Sequence, residues 1–308
     1  MLAALYYDDV NALSSEKGMV PNDSVSRIPD QKFQIASNDK EHQDSMSKRK
    51  LFREQDELEE QEILAEQDPV QVALDSFFTE GLISEILYTV KSGKEATVYC
   101  CKANPKTGAK LLAAKIYRSR NNRGFKNDAV YQEGRVILDR HVRRAVQNKS
   151  SFGREAQFAM WVNYEFETLK ALYKAGADIP RPLARTKSAI LMEYFGDERQ
   201  AAPSLQSVEL SRDEVLPVFE RLMGNIELWL AHNYVHADLS AYNVLYWQGQ
   251  VHIIDFPQAV DPRFNPNAFT LLTRDIENIC SYAARYGLER NGLRIAEQLW
   301  RRFKNAEL

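Results

Sequence analysis

The chain is poor in cysteine: Cys100, Cys101 and Cys280 are its three among 308 residues. They form no C-x-x-C pair and no even set, which argues against a structural zinc site and against a disulfide framework. Unpaired cysteines fit a reducing compartment. The first residues also lack the basic segment that precedes the apolar part of a secretory signal. The sequence therefore predicts a cytoplasmic protein.

Long hydrophobic runs and a strong net charge are also missing. No apolar stretch reaches the roughly 18 residues that a membrane-spanning helix needs, so we expect no membrane partner. The formal net charge of −3 gives the whole chain no attraction to nucleic acid. Residues 118–155 are a local exception, with 10 Lys and Arg against 4 Asp and Glu. This basic insert is a candidate surface for RNA or a ribosomal particle, although a solvated basic helix or loop would show the same charges.

The composition divides the chain into three parts. Residues 1–47 are polar and show no sustained hydrophobic period, which predicts a flexible tail. Residues 48–69 are rich in helix formers and end at Asp68-Pro69, which predicts an exposed helix. Residues 70–308 carry the apolar patterns of a folded domain.

Within that domain, strand patterns come first and helical patterns later. A helix pattern from residue 70 stops at Gly81, and a second short amphipathic segment follows it. "ATVYCCKA" and "AKLLAAKIY", separated by "NPKTG", predict a β-hairpin. The other expected elements are a buried strand, "AILMEYF" (189–195), and helices over 159–176, after the capping box Ser211–Glu214, over 270–285 and over 291–305. This order predicts an α+β fold.

The stretch "VHADLSAYNVLYWQGQVHIIDFPQAV" (235–260) places Asp238, Asn243 and Asp255 among apolar residues that look like the edges of two short strands. Phosphoryl transfer needs a carboxylate to take the proton of the attacking hydroxyl, and oxygen ligands for Mg²⁺. The spacing His236-x-Asp238-x₄-Asn243, with Asp255 later, is typical of protein kinases. There the first Asp is the base, and the Asn and the second Asp bind the metal. A capped turn and an Asx-turn would also explain Asp238 and Asn243.

Two charged residues upstream fit the same chemistry. Lys115 lies in the strand pattern "LLAAKIY", where a lysine could touch the α- and β-phosphates of ATP. Glu165 lies in the helix pattern "WVNYEFETL" and is its candidate ion-pair partner. A strand lysine at a sheet edge and a helical glutamate facing solvent are the ordinary alternatives. The order of all the elements along the chain favours the site.

These residues resemble the RIO kinases, a family of atypical serine kinases and ATPases, over roughly residues 70–300. The most specific element is "SGKEATVY" (92–99), which is similar to the family's phosphate loop "STGKEA-x-VY". "HADLSAYNVLY" and "IIDFPQAV" are similar to its active-site and metal-loop signatures.

The resemblance implies a two-lobed, protein-kinase-like fold that uses ATP and Mg²⁺. The β-rich N-lobe would cover about residues 70–192, and a reduced helical C-lobe about residues 193–308. The substrate would be a serine of a protein partner or of the chain itself. The implied nucleotide contacts are Ser92, Gly93, Lys94 and Lys115 with Glu165, and the adenine-contacting hinge Met192, Glu193 and Tyr194. The implied catalytic and metal residues are Asp238, Asn243 and Asp255.

The chain also departs from the common kinase pattern. Ala237 stands where an arginine usually follows the catalytic-loop histidine, so we expect no switch by phosphorylation of an activation loop. No A-P-E follows "IIDFPQAV". The loop "SGKEA" of one RIO branch is combined with the "IDFPQ" of another, and the first 69 residues are too polar for a winged helix. We therefore expect a bacterial-type branch.

Four alternatives remain open on the sequence alone. His232 and His236 could form a helical zinc pair, although Asn233 stands where a metalloprotease has its glutamate. A small-molecule phosphotransferase of the aminoglycoside or choline kinase type would share "HADLSAYNVL" and "IIDF". A nucleotide-binding scaffold in ribosome- or RNA-related assembly would need no turnover. An ATPase-type switch, which the resemblance to the RIO kinases implies, would form a phospho-aspartate on Asp255.

Overall fold

The computed structural model of the protein describes residues 69–118, 140–148 and 150–308. The predicted tail over 1–47 and the predicted helix up to residue 68 lie outside the described residues, as does most of the basic insert. Within the described part of the chain, no helix is both long and apolar enough to cross a membrane.

A five-stranded antiparallel sheet forms the first half of the described structure. Helix α1 precedes it, and the sheet order is β1-β2-β3-β5-β4. The elements are α1 (Pro69–Thr79), β1 (Ile83–Ser92), β2 (Ala96–Ala103), β3 (Leu111–Tyr117), β4 (Pro182–Arg185) and β5 (Ala189–Glu193). The predicted hairpin is confirmed as β2 and β3. Gly81 follows α1 at a φ of 62°, a conformation that ends helices.

The segment after Gly81 corrects the sequence interpretation. Its apolar residues have helical spacing, yet it forms β1 along the edge of the sheet. Pairing with β2 satisfies its main-chain groups, and its β-branched and aromatic residues suit a strand. Tertiary pairing therefore outweighs the local period here.

Side chains of the sheet alternate between two faces, because successive strand residues point to opposite sides. On the outer face, Leu112 and Ala114 of β3 pack with Leu74 and Phe77 of α1. The inner face packs on helix α3 (Ser151–Lys174). Its cluster contains Ala113, Tyr117, Ile190 and Met192 of the sheet, and Trp161, Val162 and Phe166 of the helix.

The second half of the described structure is mainly helical. Its elements and the two helices before β4 are α2 (Arg140–Gln147), α3 (Ser151–Lys174), α4 (Arg212–Ala231), β6 (Val244–Trp247), β7 (Gln250–Ile253), α5 (Ala268–Ala284) and α6 (Gly292–Lys304). Strands β6 and β7 pair with each other and confirm the two short strands expected around Asn243 and Asp255. The largest hydrophobic core lies here, around Trp229, Leu230 and Phe256.

Local signals explain two helix starts. The Ser211 N–H donates to Glu214 Oε2 over 2.9 Å, which confirms the predicted capping box of α4. Helix α3 begins earlier than its apolar period suggested, because the Ser150 side chain accepts a hydrogen bond from the Gly153 N–H at 3.0 Å. A β-rich half followed by a helical half confirms the α+β class.

Candidate active site

Lys115 lies at the centre of the site. It is on β3 between Ala113 and Tyr117, so its side chain points to the inner face of the sheet. Its Nζ donates to Glu165 Oε1 over 2.7 Å and to Asp255 Oδ1 over 2.6 Å. The structure therefore brings together three residues that the sequence predicted as one site.

Glu165 has a second partner that sequence reasoning missed. The Tyr117 hydroxyl donates to Glu165 Oε2 over 2.5 Å, so both carboxylate oxygens are used. The Glu165 side chain is 1% exposed and that of Lys115 is 11% exposed. Burial raises the pKa of Glu165, and the Lys115 charge opposes that shift. Burial alone would lower the pKa of Lys115, but the charges of Asp255 and Glu165 outweigh it and raise the pKa. The buried lysine therefore stays charged.

Asp255 follows β7 and reaches the same ammonium group from the helical half. It has a φ of 75°, and 38% of its side chain is exposed. Burial raises its pKa, but Lys115 outweighs that effect and the net pKa lies below the usual value. Asp255 is thus an ionised carboxylate, bound to Lys115 through Oδ1 and partly open to solvent.

Asn243 lies beside the main chain that leads to Asp255, because the Ile254 N–H donates to its carbonyl over 2.9 Å. Its Nδ2 donates to the Asp238 carbonyl over 2.9 Å, which leaves the amide oxygen as the atom that could bind a metal. One amide oxygen and one carboxylate suit Mg²⁺, which usually takes few protein ligands and completes its shell with phosphate and water. The donor set therefore fits the predicted metal.

Asp238 lies in the loop between α4 and β6. Burial is the largest cause of its raised pKa, the Asp255 charge adds to it, and Arg274 and Asn243 oppose it. His236, two residues earlier, is buried against Phe256 with ring centroids 4.4 Å apart. Burial lowers the His236 pKa to about 4, so the ring is neutral at pH 7 and its Nε2 lies 3.2 Å from the Ile254 carbonyl. It ties the Asp238 loop to the Asp255 loop.

Asp275 of α5 holds the Asp238 loop and was not predicted. Its two carboxylate oxygens accept the Ala237 N–H over 2.7 Å and the Leu239 N–H over 2.9 Å. Ala237 has a φ of 66°, so the main chain on one side of Asp238 is held in the left-handed region. Burial raises the Asp275 pKa to about 7, while the two N–H bonds lower it. The available signal was a carboxylate on the buried face of an apolar helix, next to Ile276.

The predicted phosphate loop is the turn between β1 and β2. The Gly93 N–H donates to the Ala96 carbonyl over 2.9 Å, and Lys94 is exposed at the tip. The Ser92 hydroxyl does not face Lys115: it accepts from Arg118 Nη2 over 2.7 Å and lies 3.4 Å from Thr97 Oγ1. The structure therefore brings the turn to the site but directs the Ser92 side chain elsewhere.

The predicted hinge consists of the last two residues of β5, Met192 and Glu193, and of Tyr194 directly after the strand. Met192 is 8% exposed and pairs with Ala113 of β3, on the inner face. Glu193 Oε2 accepts the Arg181 N–H over 3.2 Å, and the Tyr194 hydroxyl lies 2.6 Å from that of Tyr88. Because the Glu193 and Tyr194 side chains already have protein partners, an adenine base bound at this predicted hinge would contact its main chain.

The zinc alternative receives no support from the two histidines. His232 Nδ1 lies 2.9 Å from the Leu228 carbonyl, whereas His236 is bound to the Ile254 carbonyl. Among the residues that the structure describes, no group of three or more His, Cys, Asp and Glu side chains is placed to hold a metal.

Comparisons with known proteins identify relatives of this chain. A RIO domain model matches residues 97–295. Serine/threonine-protein kinase RIO1 of Chaetomium thermophilum is 29% identical over 281 residues, which cover 86% of this chain and 52% of that protein. RIO-type serine/threonine-protein kinase Rio1 of Thermoplasma acidophilum is 30% identical over 193 residues, which cover 63% of this chain and 95% of that protein.

Other relatives extend the comparison. Serine/threonine-protein kinase rio1 of Schizosaccharomyces pombe is 30% identical over 269 residues, 86% of this chain and 50% of that protein. The chain thus spans about half the length of these fungal relatives. The crystal structure of the Rio2 kinase–ADP/Mg²⁺–phosphoaspartate complex from Chaetomium thermophilum matches with a TM-score of 0.51 and 19% identity, over 76% of each chain. This likeness supports the kinase-like fold.

Proposed function

The chain belongs to the RIO domain family, and from that premise we propose that it transfers the γ-phosphoryl group of ATP, with Mg²⁺, to a serine of a protein partner or of itself. One observation carries the proposal: Lys115 binds both Glu165 and Asp255 at hydrogen-bond distance, although they lie 50 and 140 positions away in sequence. Kinases use this set to hold phosphate and metal. We place the boundary between the lobes after Met192, and the cytoplasm remains the expected location.

Each residue has a role that follows from its surroundings. Lys115, charged and fixed by Glu165, binds phosphate oxygens of ATP. Asn243 and Asp255 would hold Mg²⁺, which neutralises charge on the phosphates when it is bound. Asp238 accepts the proton of the serine hydroxyl while the serine oxygen attacks the γ-phosphorus and the bond between that phosphorus and ADP breaks.

The main chain completes the proposed nucleotide site. Gly93 and Lys94 form the phosphate loop, with Ser92 contributing through its main chain because Arg118 holds its hydroxyl. The segment Met192–Tyr194 contacts the adenine. The family match favours a protein kinase over the aminoglycoside or choline kinase type, because it names RIO and not those enzymes.

Transfer to Asp255 itself is a second candidate, favoured by the state of that residue. Its carboxylate is ionised and 38% exposed, so an oxygen is available to attack the γ-phosphorus. The bond to ADP would break, and water would then hydrolyse the acyl phosphate on Asp255. The net reaction would be the hydrolysis of ATP to ADP and phosphate, with no protein substrate.

Labelled ATP separates these outcomes. We expect the pure protein, incubated with γ-labelled ATP and Mg²⁺, to take up label or to release labelled phosphate. Label that survives hydroxylamine indicates phosphoserine, label that hydroxylamine removes indicates an acyl phosphate, and free phosphate indicates ATPase turnover. If neither bound label nor free phosphate forms, while the protein binds ATP, then a nucleotide-binding scaffold replaces the proposed enzyme.

We also propose that the basic insert binds RNA or a ribosomal particle. Its described part includes α2, where Arg140, Arg143 and Arg144 are exposed. Clustered arginines bind phosphates with release of counterions, so such binding weakens as salt rises. Ser150, the N-cap residue of α3, connects the two helices, because its hydroxyl donates to the Ala145 carbonyl of α2 over 3.2 Å.

Charge reversal on α2 tests this surface. We expect the double variant Arg143→Glu, Arg144→Glu to bind RNA about 10-fold more weakly at low salt, with a shallower dependence on salt. Filter binding over a salt series measures both. The matched control is Arg290→Glu, Arg294→Glu, which makes the same charge change at exposed positions near α6. Equal losses in the two double variants would show a general charge effect and contradict a specific surface.

A further inference from the structure

Lys91 lies on the face of the sheet that carries the proposed site. In the register of the sheet, Lys91 is opposite Val98 of β2, and Val98 is opposite Lys115 of β3. Directly opposite residues in antiparallel strands point to the same face. Val98 packs with the inner-face cluster, which contains Ala113 and Met192. The side chains of Lys91, Val98 and Lys115 therefore form one row on the inner face.

The next row points the other way. Ser92 is opposite Thr97, and Thr97 is opposite Ile116, which packs with the outer-face cluster. The contact of the Ser92 hydroxyl with Arg118 belongs to that outer row. A β-bulge between Thr89 and Lys91 sets this register. As a result, the residue just before the predicted phosphate loop faces the site, and the first residue of the loop faces away.

The Lys91 ammonium is available for a ligand. Its side chain is exposed, and among the described residues it makes no hydrogen bond or ion pair. Its charge is one of those that favour the ionised form of Asp255 and lower the pKa of that carboxyl. Lys115, in contrast, is already bound by two carboxylates. Lys91 thus adds to the inner face a positive charge that no described side chain binds by a hydrogen bond or an ion pair.

We infer that Lys91 binds the phosphate chain of the nucleotide, as a second lysine in the row of Lys115. This inference rests on the proposed function. The loop has one glycine, so it allows few close approaches of main-chain N–H groups to phosphate. An ammonium group reaches phosphate as a point charge and needs no such approach. Lys91 therefore strengthens binding in proportion to the phosphate charge and leaves the base contacts unchanged.

Nucleotide binding by Lys91→Gln tests the inference. We expect the variant to bind Mg²⁺-ATP about 10-fold more weakly than the wild type, since a charged hydrogen bond is lost. The loss for ADP should be smaller, and adenosine should bind equally to both proteins. Lys91→Arg, which keeps the charge, should restore most of the ATP affinity. Calorimetric titration of the full chain measures all three ligands.

Lys102→Gln is the matched control, because Lys102 is an exposed lysine at the far end of β2. If Lys91→Gln binds ATP as tightly as this control, the role of Lys91 is wrong while the proposed function stands. An equal loss for ATP and adenosine would also overturn it, because it would indicate a disturbed fold. If the wild type itself binds adenosine nucleotides no better than inorganic triphosphate, the proposed function fails.

Discussion

Replacing Asp238 by asparagine is expected to lower the rate of phosphoryl transfer by about 10²–10⁴-fold, the usual contribution of a general base. The amide has nearly the shape of the carboxylate but cannot take the proton of the attacking hydroxyl. Binding of ATP should change little, because Lys115 and the hinge main chain do not depend on this side chain. Single-turnover transfer of label measures the rate, and titration with ATP measures the affinity.

Asp213→Asn provides the control for Asp238→Asn, since Asp213 is an exposed carboxylate in the first turn of α4. It should leave transfer and binding at wild-type values. Transfer by Asp238→Asn within a few-fold of the wild type would exclude Asp238 as the base. It would leave the second candidate, attack by Asp255, because that reaction needs no proton acceptor for its first step.

The meeting of Lys115, Glu165 and Asp255 could be predicted from the sequence because each lies in a recognisable pattern. The strand period places Lys115 on one face of the predicted sheet, and the helix period places Glu165 on one face of the predicted helix. Asp255 follows a short predicted strand. The sequence could not give the distances between them. The structure shows that Lys115 reaches both carboxylates within 2.7 Å. If Lys115 and Asp255 lay on opposite sides of the molecule, they could not share one nucleotide, and the kinase interpretation would be wrong.

The side of the sheet that Ser92 and Lys91 face could not be predicted. Side-chain direction has a period of two, so one bulge in β1 exchanges the faces of all residues after it. The sequence shows no signal for the bulge between Thr89 and Lys91. Motif matching therefore selected the serine that begins the loop, whereas the register points its neighbour into the site.

Tyr117 and Asp275 were missed for another reason. Each acts on a residue that is distant in sequence: Tyr117 on Glu165, and Asp275 on the loop around Asp238. Local patterns identify side chains that could do chemistry, but they do not identify the partners that hold them. A buried carboxylate with two main-chain donors becomes visible only when the helices are packed.

Asp275→Ala is the strongest test of that missed residue. The change leaves the N–H groups of Ala237 and Leu239 buried without an acceptor, at about 1–3 kcal/mol for each. Burial raises the pKa of Asp275 to about 7, so keeping this carboxyl ionised in the folded wild type costs free energy. We therefore expect a net loss near the lower end, about 2–3 kcal/mol in the free energy of unfolding. Urea denaturation measures it.

The effect of Asp275→Ala on activity follows from the strain at Ala237. Its φ of 66° is unfavourable for alanine, and the bond to Asp275 helps to hold it. Without that bond the loop can relax and move Asp238 away from the hydroxyl, so kcat should fall about 100-fold at nearly constant KM for ATP. Asp275→Asn keeps one acceptor oxygen and should lie between alanine and the wild type. If the alanine variant loses stability but keeps its kcat, Asp275 supports the fold without positioning Asp238.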